Sequence, residues 1–411
     1  MRITYRILLL VVLLCGCTPG LVSDGRPVVP TNSPTPYLLT PSQTATSVQT
    51  PTSTPGKLIT ATVWLTKPQV PIVIYHQFAP DYAASSINTK VRFADFKQEL
   101  EDLYASGYSL VSFEKWIAGD MEVPPGRHPL ILSMDDLFFN NQISLLEDGT
   151  PSPDTGIGIL WQFYQEHPDF GFHLALFAIL GDKFYPFDPQ YSSDSQYLGR
   201  NWESEFAQTI VWCLEIDARV YNHTFRHGYL ANYSIIVTMS EFIQQLRQND
   251  DRLRYYLKLA GREDLIPRLG NVIALPGGAQ PQTESDWATL REYKNPEGLS
   301  VQGVLEAGFD TSNLMQPPYS ADFDRWHIPR FTATLNSIQT LVQESSQMPT
   351  ATTCELDSGS GDPAFLGNQI NQAIQNSQCL AGIYVTGQYI YDASQTGRVN
   401  LLFKRTDNSS P

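Results

Sequence analysis

Two carboxylates stand side by side at Asp135-Asp136, directly after Leu130-Ile131-Leu132-Ser133-Met134, a run suited to a buried strand. Successive side chains of an extended chain point to opposite faces, so a plain strand cannot aim both at one target. The pair is therefore expected where the strand ends and the backbone turns. Two carboxylates there are costly unless a cation or a shared proton compensates them. His223-Thr224-Phe225-Arg226-His227 offers a partner. Imidazoles at i and i+4 fall on one face of a helical turn, a spacing that suits a single metal ion. One carboxylate and two imidazoles accept several divalent ions.

The surrounding pattern says what must hold these groups in place. Pro71-Ile72-Val73-Ile74-Tyr75-His76 reads as a first core strand ending on a histidine. A helix follows through Phe93, Phe96, Leu100 and Leu103, stopped by Gly107. Phe172 to Leu180 and Glu215 to Tyr221 read as strands, and Glu203 to Leu214 as a helix. Asn271 to Leu275 is a strand closed by Pro276-Gly277-Gly278, Val301 to Ala307 a short helix, and Trp326 to Phe331 another strand. Strands alternating with helices over about 270 residues indicate an α/β fold with a parallel, barrel-like sheet. In such a barrel the chemistry collects where strands end. His76, Asp135, Asp136, His223, His227 and Pro276 all fall just past an apolar run. His173 reads as a core histidine, and His128 and His167 as residues of surface turns. Trp161, Tyr191 and Tyr197 are candidates for stacking on a sugar.

The chain has 411 residues and a formal charge of -15, which argues against nucleic acid or an anionic membrane surface as the main partner. Arg2 and Arg6 precede an apolar run, Ile7 to Leu14, too short to span a bilayer. The run ends in Leu14-Cys15-Gly16-Cys17, which resembles the lipobox of bacterial lipoproteins. That resemblance implies a signal peptide over residues 1–16, cleavage before Cys17, a lipid on its sulfur, and an extracytoplasmic protein anchored to a bacterial membrane. Residues 17–67, rich in Pro, Thr and Ser, are expected to be a disordered tether. Outside the cytoplasm a disulfide is permitted, and Cys354 with Cys379 is favoured, because both flank one helical stretch started by Pro363. Cys213 reads as a buried free thiol. Residues 346–411 are expected either to complete the barrel or to form a small addition to it.

Taken together, these motifs resemble the NodB-like polysaccharide deacetylases, carbohydrate esterase family four. Pro71 to His76 is similar to the family's opening strand, and Ser133-Met134-Asp135-Asp136 to its Thr-Phe-Asp-Asp-Gly motif. His223 to His227 fits His-Ser/Thr-x-x-His, and Ala274 to Gly278 is similar to Arg-x-Pro-Tyr/Phe-Gly in its proline and last glycine. The resemblance implies a distorted (β/α) barrel over residues 68–345 and metal-dependent hydrolysis of acetyl groups, N-acetyl favoured, on an acetylated extracellular or envelope polysaccharide. It implies that Asp136, His223 and His227 hold a divalent ion, zinc being the expected one, and that Asp135 is the general base. Pro276, Gly277 and His76 would face the substrate and the oxyanion, and Thr224 would fix the histidine loop. A monomer is expected. The chain departs from the family pattern at Leu137, at Ala274 in place of an arginine, at Gly277 in place of an aromatic, and in lacking a late Leu-x-Leu-His. His327 is a candidate substitute for that last histidine, which protonates the leaving amine, and His76 is another. These departures motivate an alternative: a catalytically impaired glycan-binding lipoprotein on the same fold.

Overall fold

Short β-branched runs that alternate with amphipathic helices fold here into a curled parallel sheet. The computed structural model describes residues 57–81, 90–138, 141–181, 202–312, 314–359, 361–395 and 397–404. The expected signal segment, Cys17, most of the tether, Tyr191 and Tyr197 lie outside these residues. Among the described residues no helix is long and apolar enough to cross a membrane.

Strand β1 (Leu58–Trp64) opens the described chain but belongs to a second sheet. β2 (Ile72–Tyr75) begins the barrel. A small parallel pair follows, β3 (Gln77–Ala79) and β4 (Lys90–Arg92), and then β5 (Tyr108–Leu110), which pairs with the start of β6 (His128–Leu137). The remaining barrel strands are β7 (Leu174–Ala178), β8 (Ala218–Asn222), β9 (Val272–Ala274), β10 (Gly303–Leu305) and β11 (Phe331–Thr332). Their order is β10-β9-β8-β7-β6-β2-β11, parallel throughout. Isolated parallel bridges, Leu305 to Ile328 and Gly308 to Phe331, join the two ends of that path. The segment read as a helix from Val301 to Ala307 is thus strand β10. Three buried residues give no period that separates strand from helix.

Side-chain alternation sorts the strand residues into two environments. Leu130, Leu132 and Met134 of β6 pack outward with Leu174 and Leu176 of β7 and with the helices Phe93–Ala105, Gly156–Glu166, Trp202–Glu215 and Leu335–Glu344. Ile131 of β6 and Ala175 and Phe177 of β7 point inward with Tyr221, Val272 and Leu305. The longest helix, Met239–Leu259, begins on a capping box in which Thr238 and Glu241 each accept from the other's backbone N–H.

The C-terminal segment does not complete the barrel. β12 (Ala351–Asp357), β13 (Ile383–Val385), β14 (Tyr389–Gln395) and β15 (Arg398–Lys404) form an antiparallel sheet in the order β12-β1-β13-β14-β15. Trp64, Ile383, Val385 and Ile390 of this sheet pack among the inward residues of the barrel. The tether therefore cannot extend to residue 67, since residues 58–64 pair with β12 on one side and β13 on the other. Ala61, Val63 and Trp64 are fully buried. The apolar residues of Leu-Ile-Thr-Ala-Thr-Val-Trp suit a strand, but the Pro- and Thr-rich stretch before it hides the boundary. A disulfide joins Cys354 on β12 to Cys379, just beyond the helix Pro363–Gln375, as expected. Cys213 is buried and unpaired.

Candidate active site

The two adjacent carboxylates are presented by a break in the strand. β6 runs on to Leu137, but its register with β7 shifts between Met134 and Leu137, and Asp136 takes φ 56°. A residue in the left-handed region turns the chain within the strand. Both carboxylates thereby reach one group, with Asp135 Oδ2 3.7 Å and Asp136 Oδ1 3.4 Å from His223 Nε2. The difficulty posed by strand alternation is solved by a bulge rather than by the strand's end.

The histidine pair is not on a helical turn. Residues 223–227 form an irregular loop after β8, with Thr224 at φ 65° and His227 at φ 54°. The loop still brings the two rings to 4.9 Å between centroids. His227 Nε2 lies 3.2 Å from Asp136 Oδ1. The ligand atoms of Asp136, His223 and His227 all fall within 4.8 Å of one another.

A buried amide network fixes where that loop starts. Asn249, fully buried on the helix Met239–Leu259, accepts from Leu180 N at 2.9 Å and donates to Ala178 O at 2.9 Å and Asn222 Oδ1 at 3.1 Å. Asn222 Oδ1 also accepts from Thr224 N at 2.8 Å, while its amide donates to Leu246 O and to Asp250 Oδ1. Thr224 Oγ1 then accepts from Gly228 N at 3.1 Å, which closes the loop that presents both rings. The helix and the ends of β7 and β8 are thus pinned together directly behind His223.

The donor chemistry of the site points to a cation. His223 Nδ1 lies 2.8 Å from the carbonyl of Ala274, which can only accept, so Nδ1 carries a proton. In the neutral ring Nε2 then presents a lone pair, and it presents it to Asp136 Oδ1. Asp136 Oδ1 is buried and receives no hydrogen bond of acceptable geometry, although two ring nitrogens face it. Lone pairs converging on one point call for a cation between them. The three donors therefore fit a divalent ion. Burial works to raise the Asp136 pKa, but the two imidazoles outweigh it and hold the carboxyl far below the usual range. Burial likewise lowers the His223 pKa, and Asp135 and Asp136 more than reverse this, so the ring is pulled above its ordinary value.

Asp135 is held by a residue that the motif reading did not assign. Arg330 enters just before β11, and its guanidinium donates Nη1 to Asp135 Oδ1 at 2.7 Å and Nη2 to Asp135 Oδ2 at 2.8 Å. It also reaches Ser133 Oγ at 3.2 Å and Glu306 O at 2.9 Å, and lies over the Phe177 ring at 4.9 Å. The pair is sealed, with 0% of the Arg330 side chain and 2% of the Asp135 side chain exposed. Burial works to raise the Asp135 pKa, yet Arg330 and His223 hold it below the ordinary aspartate value. Arg330 supplies this charge from the segment just before β11, whereas Ala274 at the end of β9 carries none. The one signal in the sequence was an arginine at the mouth of a predicted strand.

His76 follows β2. Burial lowers its pKa, opposed by the charges of Asp135 and Asp136. Its Nδ1 is buried without a hydrogen-bond partner, and Gln142 ties its carbonyl to that of Asp135. Pro276 is buried in a short turn after β9, in which Gly277 takes φ 59°. His327, expected to protonate the leaving group, is placed otherwise. Its Nδ1 binds Glu306 Oε1 at 2.7 Å and its exposed ring packs on Trp287 of the helix Glu284–Glu292. No contact among the described residues links it to the triad. Trp161 packs against Phe172 and Trp212 on the outward side rather than lining a groove. His128 is buried at the start of β6, 3.1 Å from Pro349 O, and His173 lies half-buried beside Asp217.

No protein-family model matches the chain, and no curated protein matches it. Solved structures do align with it. IcaB from Ammonifex degensii aligns at 16% identity and a TM-score of 0.43, covering 68% of this chain and 98% of that one. The Streptococcus pyogenes deacetylase PplD aligns at 16% identity and a TM-score of 0.42, covering 67% and 98%. BC0361, a polysaccharide deacetylase from Bacillus cereus, aligns at 17% identity and a TM-score of 0.42, covering 67% and 69%. Of these, PplD is described as a deacetylase and BC0361 as a polysaccharide deacetylase.

Proposed function

We propose that this chain is a metal-dependent deacetylase that hydrolyses acetyl groups, N-acetyl favoured, on an extracellular or cell-envelope polysaccharide. The observation that carries the reading is the convergence of Asp136 Oδ1 and two imidazole Nε2 atoms on one point, beside an aspartate locked by a buried arginine. A divalent ion held by Asp136, His223 and His227, zinc by expectation, would polarise an acyl carbonyl and lower the pKa of water. Asp135, kept ionised by Arg330, is placed to accept the proton that the attacking water gives up. The bidentate grip fixes the plane of the carboxylate, so the base needs no reorganisation when the proton arrives. His76 takes the role expected of His327. Its buried Nδ1 has no partner and its ring feels the charges of both carboxylates, as would suit a group that passes a proton to the leaving amine.

The impaired-binder alternative was motivated by the absent arginine, aromatic and late histidine, and Arg330 weakens the first of these motives. The lipid anchor at Cys17, the bacterial envelope location and the monomeric state belong to the same proposal and rest on the sequence alone. The test is elemental analysis of the purified protein together with acetate release from N-acetylated oligosaccharides. One bound ion per chain, lost in His223→Ala, and acetate release abolished in Asp135→Ala support the proposal. Bound ion with no release from any acetylated glycan or ester would sink it.

A further inference from the structure

The loop that carries the metal-facing histidines continues into a stack of aromatic rings. The Tyr229 ring meets His227 edge-on at 4.7 Å, and Tyr233 lies nearly parallel on Tyr229 at 3.7 Å, with 21° between the planes. Tyr229 covers one face of Tyr233, which is nonetheless 42% exposed. A second loop is shaped around the same ring. A Cβ on Gly277 would fall 2.0 Å from the Tyr233 hydroxyl oxygen and 2.5 Å from the ring carbon that bears it. The turn after β9 therefore has no side chain where Tyr233 lies, and the ring occupies that position from the histidine loop. Tyr233 is also 3.5 Å from the Gly277 carbonyl, too long to pin it strongly.

We infer that the exposed part of the Tyr233 ring is a stacking platform for a pyranose ring of the acetylated polymer, one that orients a sugar beside the triad. This rests on the deacetylase reading and adds a recognition element to it. A partly exposed aromatic ring, backed by a second ring and set against the centre that would do the chemistry, suits the apolar C–H face of a sugar. A free ring in water would gain nothing from this arrangement, and the packing of Tyr229 on His227 fixes the platform's distance from the reacting centre. Binding energy gathered there can orient the acetyl group at the triad.

The test compares Tyr233→Ala, Tyr233→Phe and Ile235→Ala, the last a neighbouring exposed residue outside the stack, in the metal-loaded protein. Chitin-type and poly-N-acetylglucosamine-type oligosaccharides are the probes, read both by calorimetric affinity and by KM against kcat. Metal content and Tm of each variant report whether the loop is still built. The platform predicts a loss of about three- to tenfold in affinity for Tyr233→Ala, with near-wild-type values for Tyr233→Phe and Ile235→Ala. Equal affinity in Tyr233→Ala, or an equal loss in Tyr233→Phe, overturns it. Wild-type protein that binds neither oligosaccharide also overturns it, and acetate release from a small acetyl ester in the same sample would show that the deacetylase reading had survived.

Discussion

Removing Arg330 offers the sharpest test of how Asp135 is kept ionised. Arg330→Met preserves much of the stem's packing while deleting the donors that reach Asp135, Ser133 Oγ and Glu306 O. Asp135, at 2% exposure, is then left as a buried carboxylate without its fork. Breaking a buried pair in this way costs about 3–5 kcal/mol. The carboxyl can escape part of that cost by taking up a proton, and this sets a ceiling. From an unfolded pKa of about 3.9, protonation costs about 4 kcal/mol at pH 7 and about 1.5 kcal/mol at pH 5. The sign follows from the pairing. In the parent Asp135 has a depressed pKa, and its stabilisation is present above the unfolded value and lost as pH falls through the folded one. In the variant the folded pKa is raised, so the deficit grows as pH rises. Denaturant unfolding of both proteins in chelator, at several pH values, measures the gap without the ion's own charge. A deficit below about 1 kcal/mol at pH 7, or one that does not shrink toward pH 5, refutes the reasoning. Arg330→Lys keeps the charge but not the planar fork and should recover only part of the loss.

Other outcomes follow from the same geometry. Adding zinc to the metal-free protein at about 100 times its Kd should stabilise it by about 2.7 kcal/mol, read as a rise in Tm that Asp136→Asn abolishes. Asn249→Leu removes the amide behind the histidine loop, and metal affinity by titration should fall about tenfold or more. Glu99, buried with only the Tyr75 hydroxyl at 2.8 Å, has its carboxyl pushed up to about 7 by burial. Its folded pKa exceeds the unfolded one, so stability should fall by about 3 kcal/mol as pH rises from 4.5 through 7, and Glu99→Gln should flatten that slope. Reducing Cys354–Cys379, which closes a 25-residue separation, should cost about 3 kcal/mol in denaturant melts.

Much of the site could be read along the chain because its ligands sit in short motifs. Asp135-Asp136 sit at the end of an apolar run inside β6 and the paired histidines directly follow β8, so their neighbourhood was legible, although the bulge and the loop that bring them together were not. Arg330 could not be found that way, because its partner lies 195 residues earlier and the two meet only when the sheet curls. Tyr233 was missed for a related reason, since its place over Gly277 depends on two loops from different strands. His327 misled because a histidine in a predicted strand looks poised for chemistry, whereas the strand is only Phe331–Thr332 and His327 lies in the turn before it, packed on Trp287. In the fold, periodicity marked the long barrel elements well. It failed at β10, too short to show a period, and at β1, whose partners are at the other end of the chain.

The placement of β1 bears on how the molecule is made. Leu58 pairs with Asp357 and Trp64 with Ala351, so the first strand of the folded part emerges from the ribosome long before its neighbours exist. Contacts so remote in sequence close slowly, and an unpaired strand in the meantime invites the wrong partners. A polypeptide begun at Lys67 would spare the nascent chain that wait, but it would take out an interior strand and leave β12 and β13 each with a bare flank.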